Sequence, residues 1–339
     1  PAKPEKAATT HPQIVDAIAS YFRKKYPDCT LYLGDSSGCS GLHNSKRALK
    51  VCGMLPIMKK HKIEEALIDS LEVKEMRNSQ GKIWKKIPIP KLLSEVDLVV
   101  NIPKFKTHGL TLFSGAVKNL YGCPPGGAKA KGHADAIDPM SFGELIVDIY
   151  QVILPQLNVM DAIVGMEGKK GPQGGPPKHL GYIMASTDAV ALDSIAIKLI
   201  KIKEANVGYL VAAKTRGLRP EIELVGKFKP VDIDLPKGSI YSFLKFIPKP
   251  IVSFLMKHLN FLPVNKPVVI PKNCIACQTC VKVCPMHAIK MHNKIPVINE
   301  KKCINCLCCA ENCHYKAIES VPTSFLSRIA SKMSKRWED

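Results

Sequence analysis

The sequence predicts the α/β class: a layered, mostly parallel sheet domain followed by a small α+β domain organised by cysteines. Three observations predict it. Over roughly the first 230 residues, apolar runs suited to strands alternate with segments of helical period. Nine of the thirteen cysteines then fall between Cys274 and Cys313. Between the two regions, Pro236, Pro248, Pro250, Pro263, Pro267 and Pro271 break both periods. The expected organisation is an α/β domain over 1–230, a Pro-rich amphipathic linker over 231–265, the cysteine domain over 266–320 and a basic tail over 321–339.

Thr10, His11 and Pro12 open the first helix, in which Ile14, Ile18 and Phe22 share a face. CTLYLG reads as a strand that enters a turn at Gly34, Asp35 and Ser36. HNSKRALKVCG reads as a helix capped by Gly53. Residues 82–88 alternate like a strand, and Val96 to Phe105 form the continuous apolar run of a buried parallel strand. SFGELIVDIYQVIL predicts a helix, LNVMDAIVGM and LGYIMAS predict strands, and TDAVALDSIAIKLIKI predicts a helix. In the linker, IYSFLKFI and IVSFLMKHLNFL are short amphipathic helices. Packing against the cysteine domain is their expected use; docking on a membrane surface through Lys245, Lys249 and Lys257 is the alternative.

The cysteines carry the clearest chemistry. Cys274, Cys277, Cys280 and Cys284, followed by Pro285, give C-x2-C-x2-C-x3-C-P, and Cys303, Cys306, Cys309 and Cys313 repeat the spacing. One such loop supplies three thiolates to a cuboidal cluster, and the other repeat supplies the fourth. Cys274, Cys277, Cys280 and Cys313 are therefore expected to hold one [4Fe–4S] cluster, and Cys284, Cys303, Cys306 and Cys309 a second. This is the pattern of a bacterial-type dicluster ferredoxin domain, and it implies electron transfer. Zinc knuckles or disulfides are the structural alternatives; two intact copies and the absence of an apolar leader in PAKPEKAATT weigh against both.

The formal charge of +20 shrinks once two clusters, each about −2 with its thiolates, are counted. A basic protein remains, suited to an acidic redox partner protein or an anionic small-molecule ligand. Nucleic acid is the weaker reading, because 6% aromatic content offers little stacking surface. No run approaches the roughly 18–20 apolar residues of a membrane span. Oxygen-sensitive clusters and free thiols suit the reducing cytoplasm of an anaerobe.

A second chemistry is expected where loops leave the predicted strands, the edge at which open α/β sheets bind ligands. Lys104, Lys106, Thr107 and His108 follow one strand; Lys118, Asn119 and Cys123 come next, then His133, Asp135 and Asp138. Asp161, the glycines Gly174 and Gly175, Asp188 and Asp193 complete the set. His108, His133, Asp161 and Asp188 are the catalytic candidates, and Lys106, Asn119, Gly174 and Gly175 the ligand-binding ones. The plainer reading is that the aspartates cap helices, the histidines satisfy buried groups and GPQGG is a turn. Cys39 and Cys123 are loop thiols, either reactive or simply buried.

TTHP at Thr9–Pro12, GDS at Gly34–Ser36, KTH at Lys106–His108 and VKNLYG at Val117–Gly122 together resemble the family of unknown function called DUF362, as do His133, DAIVGMEGKKGPQGG and STDAVALD. The resemblance covers about residues 1–230. It implies iron–sulfur binding, because members carry a C-terminal two-cluster module, but no defined reaction. It also implies an additional N-terminal strand with a Lys-Pro-Asn stretch, so the chain is expected to lack that strand and part of a site. His314 departs from the proline that usually follows the fourth cysteine, and Cys308 is an extra thiol. Two functions follow as expectations: a redox enzyme or accessory factor, with electrons passing through the clusters to the α/β domain, or a non-catalytic carrier or scaffold.

Overall fold

The computed structural model describes residues 2–36, 42–125, 127–136, 138–168, 174–236, 265–284, 286–305, 307–313 and 315–322. It divides into two compact units, Pro1–Pro236 and Lys237–Asp339.

The first unit is mixed α/β. Helix α1 (Pro12–Lys25) starts where expected: His11 is the N-cap and its Nδ1 accepts the Gln13 N–H at 3.3 Å. Strand β1 (Tyr32–Asp35) runs parallel to β2 (Glu64–Leu67), with α2 (Leu42–Val51) and α3 (Met54–His61) between them. Gly53 joins those helices at φ 77°, a left-handed conformation open to glycine. An antiparallel pair, β3 (Val73–Arg77) with β4 (Lys86–Pro90), follows.

The main sheet is built on β8 (Leu157–Met166). Along one side it pairs in parallel with β5 (Val100–Asn101) and β6 (Lys104–His108); along the other it pairs antiparallel with β9 (Pro177–Ser186). Strand β7 (Leu112–Ser114) closes the edge antiparallel to β6. Helices α6 (Pro139–Ile153), α7 (Ala189–Leu199) and α8 (Gly208–Thr215) supply much of the core with Phe105, Phe113, Met160 and Tyr209. Helices α6 and α8 approach closely at two glycines: a Cβ on Gly143 would lie 2.4 Å from the Gly208 carbonyl carbon.

Several expectations shift. The apolar run from Val96 is cut at Ile102–Pro103 and resumes as β6, so Lys104, Lys106, Thr107 and His108 lie within a strand rather than in the loop after it. Residues 82–84 are not a strand, because the Asp148 carboxylate takes the N–H groups of Lys82, Ile83 and Trp84 at 2.9, 2.8 and 2.8 Å. The stretches expected as loops around Asn119 and His133 fold into two short helices, α4 (Ala116–Asn119) and α5 (Gly127–Asp135).

The α/β unit also extends past residue 230. Val231 N–H donates to the Leu199 carbonyl at 2.7 Å, and Val231, Ile233 and Leu235 pack on the main core. Residues 237–264 and 323–339, which include both amphipathic stretches and most of the basic tail, lie outside the described residues. Among the described residues no helix is long and apolar enough to cross a membrane.

The second unit is closed by β10 (Asn265–Val269) antiparallel to β13 (Ile318–Pro322), with β11 (Ile289–His292) and β12 (Ile295–Ile298) as an antiparallel hairpin. Each cysteine loop carries one short helix, α9 (Thr279–Lys282) or α10 (Cys308–Glu311). Ile289, Cys309 and Ile318 form its buried centre.

Asp148 tests the α/β core. It is fully buried, and besides the three amides it receives Arg216 Nη1 at 2.6 Å. Asp148→Ala leaves those donors without their acceptor and is expected to cost about 3–5 kcal/mol. Limited proteolysis of the variant should open the α/β unit while the second unit stays resistant.

Candidate functional site

In the second unit the thiols of the two repeats interleave around two cavities. The first is lined by Cys274, Cys277, Cys280 and, from the other repeat, Cys313, with Ile275, Met291 and Ile318 beside them. The second is lined by Cys284 from the first repeat with Cys303 and Cys309 from the second; Cys306 lies outside the described residues.

Backbone amides point at the sulfurs in matching places. Ala288 N–H donates to Cys284 Sγ at 3.2 Å and Ala317 N–H to Cys313 Sγ at 3.1 Å. A hydrogen bond with Thr279 leads the causes that lower the Cys277 thiol pKa. Burial, reinforced by the Cys277, Cys313 and Cys274 thiols, raises that of Cys280. Four sulfurs that feel one another around an apolar cavity suit a polynuclear iron–sulfur cluster, whose metals keep the thiolates apart. Among the described residues no three His, Cys, Asp or Glu side chains group closely enough to hold a single metal ion. Cys308 occupies in the second repeat the place of Thr279 in the first and is buried at the second cavity.

In the first unit the candidate residues divide. His108, Lys106 and His133 come together. His108 Nδ1 accepts the N–H groups of Leu110 at 3.0 Å and Thr111 at 3.3 Å. The ring proton therefore sits on Nε2, an assignment made from those two bonds. Burial, with Lys118, Lys106 and His133 nearby, pushes His108 well below its ordinary value and keeps it neutral. His133 stacks on Phe142 at 4.6 Å and meets Tyr121 edge-on. Burial first, then Lys118, brings its pKa down to about 3.

Lys118 rides on α4, whose start is fixed by Asp193: the carboxylate accepts the N–H groups of Ala116 at 2.6 Å and Val117 at 3.0 Å. Gly115 makes that approach possible, because a Cβ there would lie 2.1 Å from Asp193 Oδ1.

Facing these residues are groups the candidate list did not include. Asp35 ends β1 and Asp69 follows β2. Asp69 accepts Ser45 Oγ at 2.8 Å and Ser36 Oγ at 3.2 Å, and Lys129 Nζ lies 3.7 Å from it. Lys129 also donates to Ser36 Oγ and to the Gly122 carbonyl. Asp35 keeps an exposed surface, yet desolvation by the surrounding protein raises its carboxyl pKa, with Ser36, Lys106 and Lys129 opposing. Cys123, pushed up to about 12 chiefly by burial, is a protonated thiol. The GDS segment was the available signal for Asp35; Lys129, in GGAKAKG, had none.

The remaining candidates are placed elsewhere. Asp161 is buried between Lys104 Nζ and the His11 N–H, both at 2.8 Å. Asp188 caps α7, accepting Ala191 N–H at 2.8 Å. Asn119 Nδ2 donates to Asn101 Oδ1 at 2.8 Å, and Asn101 in turn donates to Asn158. Gly175 packs against the chain after β8, where a Cβ would lie 2.1 Å from the Glu167 carbonyl oxygen; Gly174 is exposed. Asp138 caps α6. Cys39 lies outside the described residues.

The chain belongs to the family described as a domain of unknown function, DUF362, whose model matches residues 1–198. A 4Fe-4S dicluster domain matches residues 266–314. The second unit is thus a ferredoxin-like iron–sulfur domain that binds [4Fe–4S] chemistry. A thylakoid-associated protein of Synechocystis, sll1697, is 29% identical over 223 residues, 64% of this chain; the chain spans 65% of that relative's length. The apoprotein of lactate racemase from Thermoanaerobacterium thermosaccharolyticum aligns with a TM-score of 0.44 at 14% identity, covering 59% of this chain and 48% of the racemase.

Both histidines are neutral in the fold and ionise near 6.5 once unfolded, so their contribution to stability is complete above that pH. It declines as pH falls toward about 3 for His133. Imidazole nitrogen NMR should find the His108 proton on Nε2, with neither ring titrating between about pH 5 and 8. A midpoint near 6.5 for His108 would show that its ring is not held neutral.

Proposed function

We propose that this chain is an electron-transfer protein whose two [4Fe–4S] clusters exchange electrons with a ligand or substrate held in the α/β unit. Cys274, Cys277, Cys280 and Cys313 hold the first cluster; Cys284, Cys303, Cys306 and Cys309 hold the second. The observation that carries the reading is the presence of Cys313 in the cavity of the first-repeat thiols, twenty-nine residues beyond Cys284 in sequence. Each cluster, when bound, supplies a one-electron centre. The protein tunes it through the N–H···S bonds of Ala288 and Ala317 and the apolar cavity walls. His108, Lys106, Lys118 and His133 form the ligand face of an oxidoreductase or redox accessory factor. Oxygen-sensitive centres of this kind suit the cytoplasm of a cell living without oxygen.

The alternative reading is a non-catalytic carrier or scaffold docking on a protein partner. It is favoured by the lining of the first cavity, where Ile275 and Tyr315 are 57% and 50% exposed, and by the exposed Lys272, Lys282 and Lys316 of the same unit.

Isolated without oxygen, the full chain should carry about eight iron and eight sulfide. Cys313→Ser should remove the cluster of the first repeat and spare the second, read as loss of about half the iron; Cys308→Ser should leave both in place. Near-stoichiometric zinc with little sulfide overturns the electron-transfer reading, and loss of only the second cluster in Cys313→Ser overturns the crossed ligation.

A further inference from the structure

The two cysteine repeats follow one backbone route at an offset of twenty-nine residues. Val283 N–H donates to the Thr279 carbonyl at 3.0 Å, and Asn312 N–H to the Cys308 carbonyl at 3.1 Å. His287 N–H donates to the Cys284 carbonyl at 3.2 Å, and Lys316 N–H to the Cys313 carbonyl at 3.1 Å. The Ala288 and Ala317 amides, at 3.2 and 3.1 Å from Cys284 and Cys313 Sγ, are matched as well, one at each cavity. Two sites with matched backbones differ through their side chains. Hydrogen bonds to the sulfurs, nearby charge and solvent exposure are what set the reduction potential of a bound cluster.

All three differ between the repeats in the same direction. Thr279 Oγ1 lies 3.5 Å from Cys277 Sγ. Once that sulfur is a thiolate, the hydroxyl is the partner with a proton to donate. The matched residue in the second repeat is Cys308, and a thiol is the weaker donor. Lys282 and Lys316, which accompany the first set of thiols in sequence, are matched by Glu311 and His287 in the second. Ile275 is 57% exposed and Gln278 is exposed, whereas their counterparts Ile304 and Leu307 are half-buried. Thr279 and Cys280 are half-buried, whereas Cys308 and Cys309 are buried. A donor to sulfur, added positive charge and contact with water each favour the reduced, more negative state.

We infer that the two cluster sites are unequal: the site of Cys274, Cys277, Cys280 and Cys313 has the higher reduction potential, and Thr279 tunes it through Cys277. The inference rests on the proposed ligation of two [4Fe–4S] clusters and adds an order to them. The first electron to enter the chain rests at the first site, beside the more exposed loop, and the second site is reduced after it. One electron passes from an external reductant to each site, and no bond in the protein is made or broken. Thr279 acts through a ligand, so it is a positioning residue.

Potentiometric titration of the anaerobically isolated full chain tests this, with dithionite as reductant, mediator dyes, and electron paramagnetic resonance to read the reduced clusters. Iron and sulfide are counted first. The unaltered chain should show two midpoints. Thr279→Val should lower the higher midpoint and leave the lower one in place. Loss of one donor to sulfur corresponds to about a tenfold change in the ratio of reduced to oxidised cluster, or about 59 mV for one electron. Thr279→Ser, which keeps the hydroxyl, should hold the original value. Cys308→Thr should raise the lower midpoint, and Cys313→Ser should lose the higher midpoint and retain the lower.

Coincident midpoints in the unaltered chain overturn the inference, as does a Thr279→Val shift that is absent or confined to the lower midpoint. If Thr279→Val does not assemble its cluster, Cys308→Thr and Cys313→Ser carry the test; loss of the lower midpoint in Cys313→Ser reverses the order and overturns it. Near-stoichiometric zinc overturns the cluster reading and this inference together. About eight iron and eight sulfide with midpoints in another order overturn the inference alone.

Discussion

Asp161 is the interaction on which the α/β unit turns. Its carboxylate is buried where β8 runs beside β6, and it receives the Lys104 ammonium and the His11 amide at 2.8 Å each. One side chain thereby joins the middle strand, the strand that carries Lys106 and His108, and the start of α1. Burial lowers the Lys104 pKa and Asp161 opposes that shift, so the pair is held together against desolvation. Breaking such a pair by removing one member leaves a buried charge and costs about 3–5 kcal/mol. The same device recurs: Asp148 gathers residues 82–84 with Arg216, Asp193 fixes α4, and Asp69 ties Ser36 and Ser45 to Lys129. In each case a carboxylate pins segments that are distant from it in sequence.

That device explains which parts of the fold were legible from sequence. The long periodic segments were legible: α6, α7, β8 and the start of α1 stand where hydrophobic spacing put them. The segments governed by a distant aspartate were not. Residues 82–84 alternate like a strand, but their amides answer Asp148, sixty-four or more residues away. The Gly- and Pro-rich stretches around Asn119 and His133 carry no long period, and their short helices exist because tertiary partners hold them. Among candidate site residues, Lys106, His108 and His133 were named by residue type and lie together in the fold. Asp161, Asp188 and Asn119 looked equivalent to them, since nothing in a sequence separates an aspartate that binds a ligand from one that caps a helix. Lys129 and Asp69 were invisible because their role comes from burial against one another.

Electrostatics divides labour within the chain. The α/β unit keeps its two histidines neutral by desolvation while surrounding them with lysines, so it offers fixed donors and cations without adding proton-dependent charge near neutral pH. The ferredoxin-like unit instead concentrates thiols, which become negative when they ligate. Its exposed lysines, among them Lys272, Lys282, Lys290 and Lys316, offset that charge. The formal +20 is therefore distributed between two purposes and does not describe one uniform basic surface.

The cysteine loops show how strongly ligand geometry can override local preference. Ala276 and Asn305, Gln278 and Leu307, and His287 and Lys316 are each twenty-nine residues apart, the same offset that separates Cys274 from Cys303. All six adopt positive φ, between 47° and 62°, although none is glycine. A left-handed conformation costs an L-residue about 1–2 kcal/mol. Chance sharing of such a cost at three matched positions is implausible for loops whose side chains otherwise differ. The common factor is the shared backbone path of the two repeats, which places the cysteines at matching points of each loop. The strain is a property of the backbone route, and it is sustained where sulfur–metal bonding returns more than it consumes. On this view the unit's small apolar core of Ile289, Cys309 and Ile318 fixes where the two loops meet, and [4Fe–4S] binding is what their shape serves.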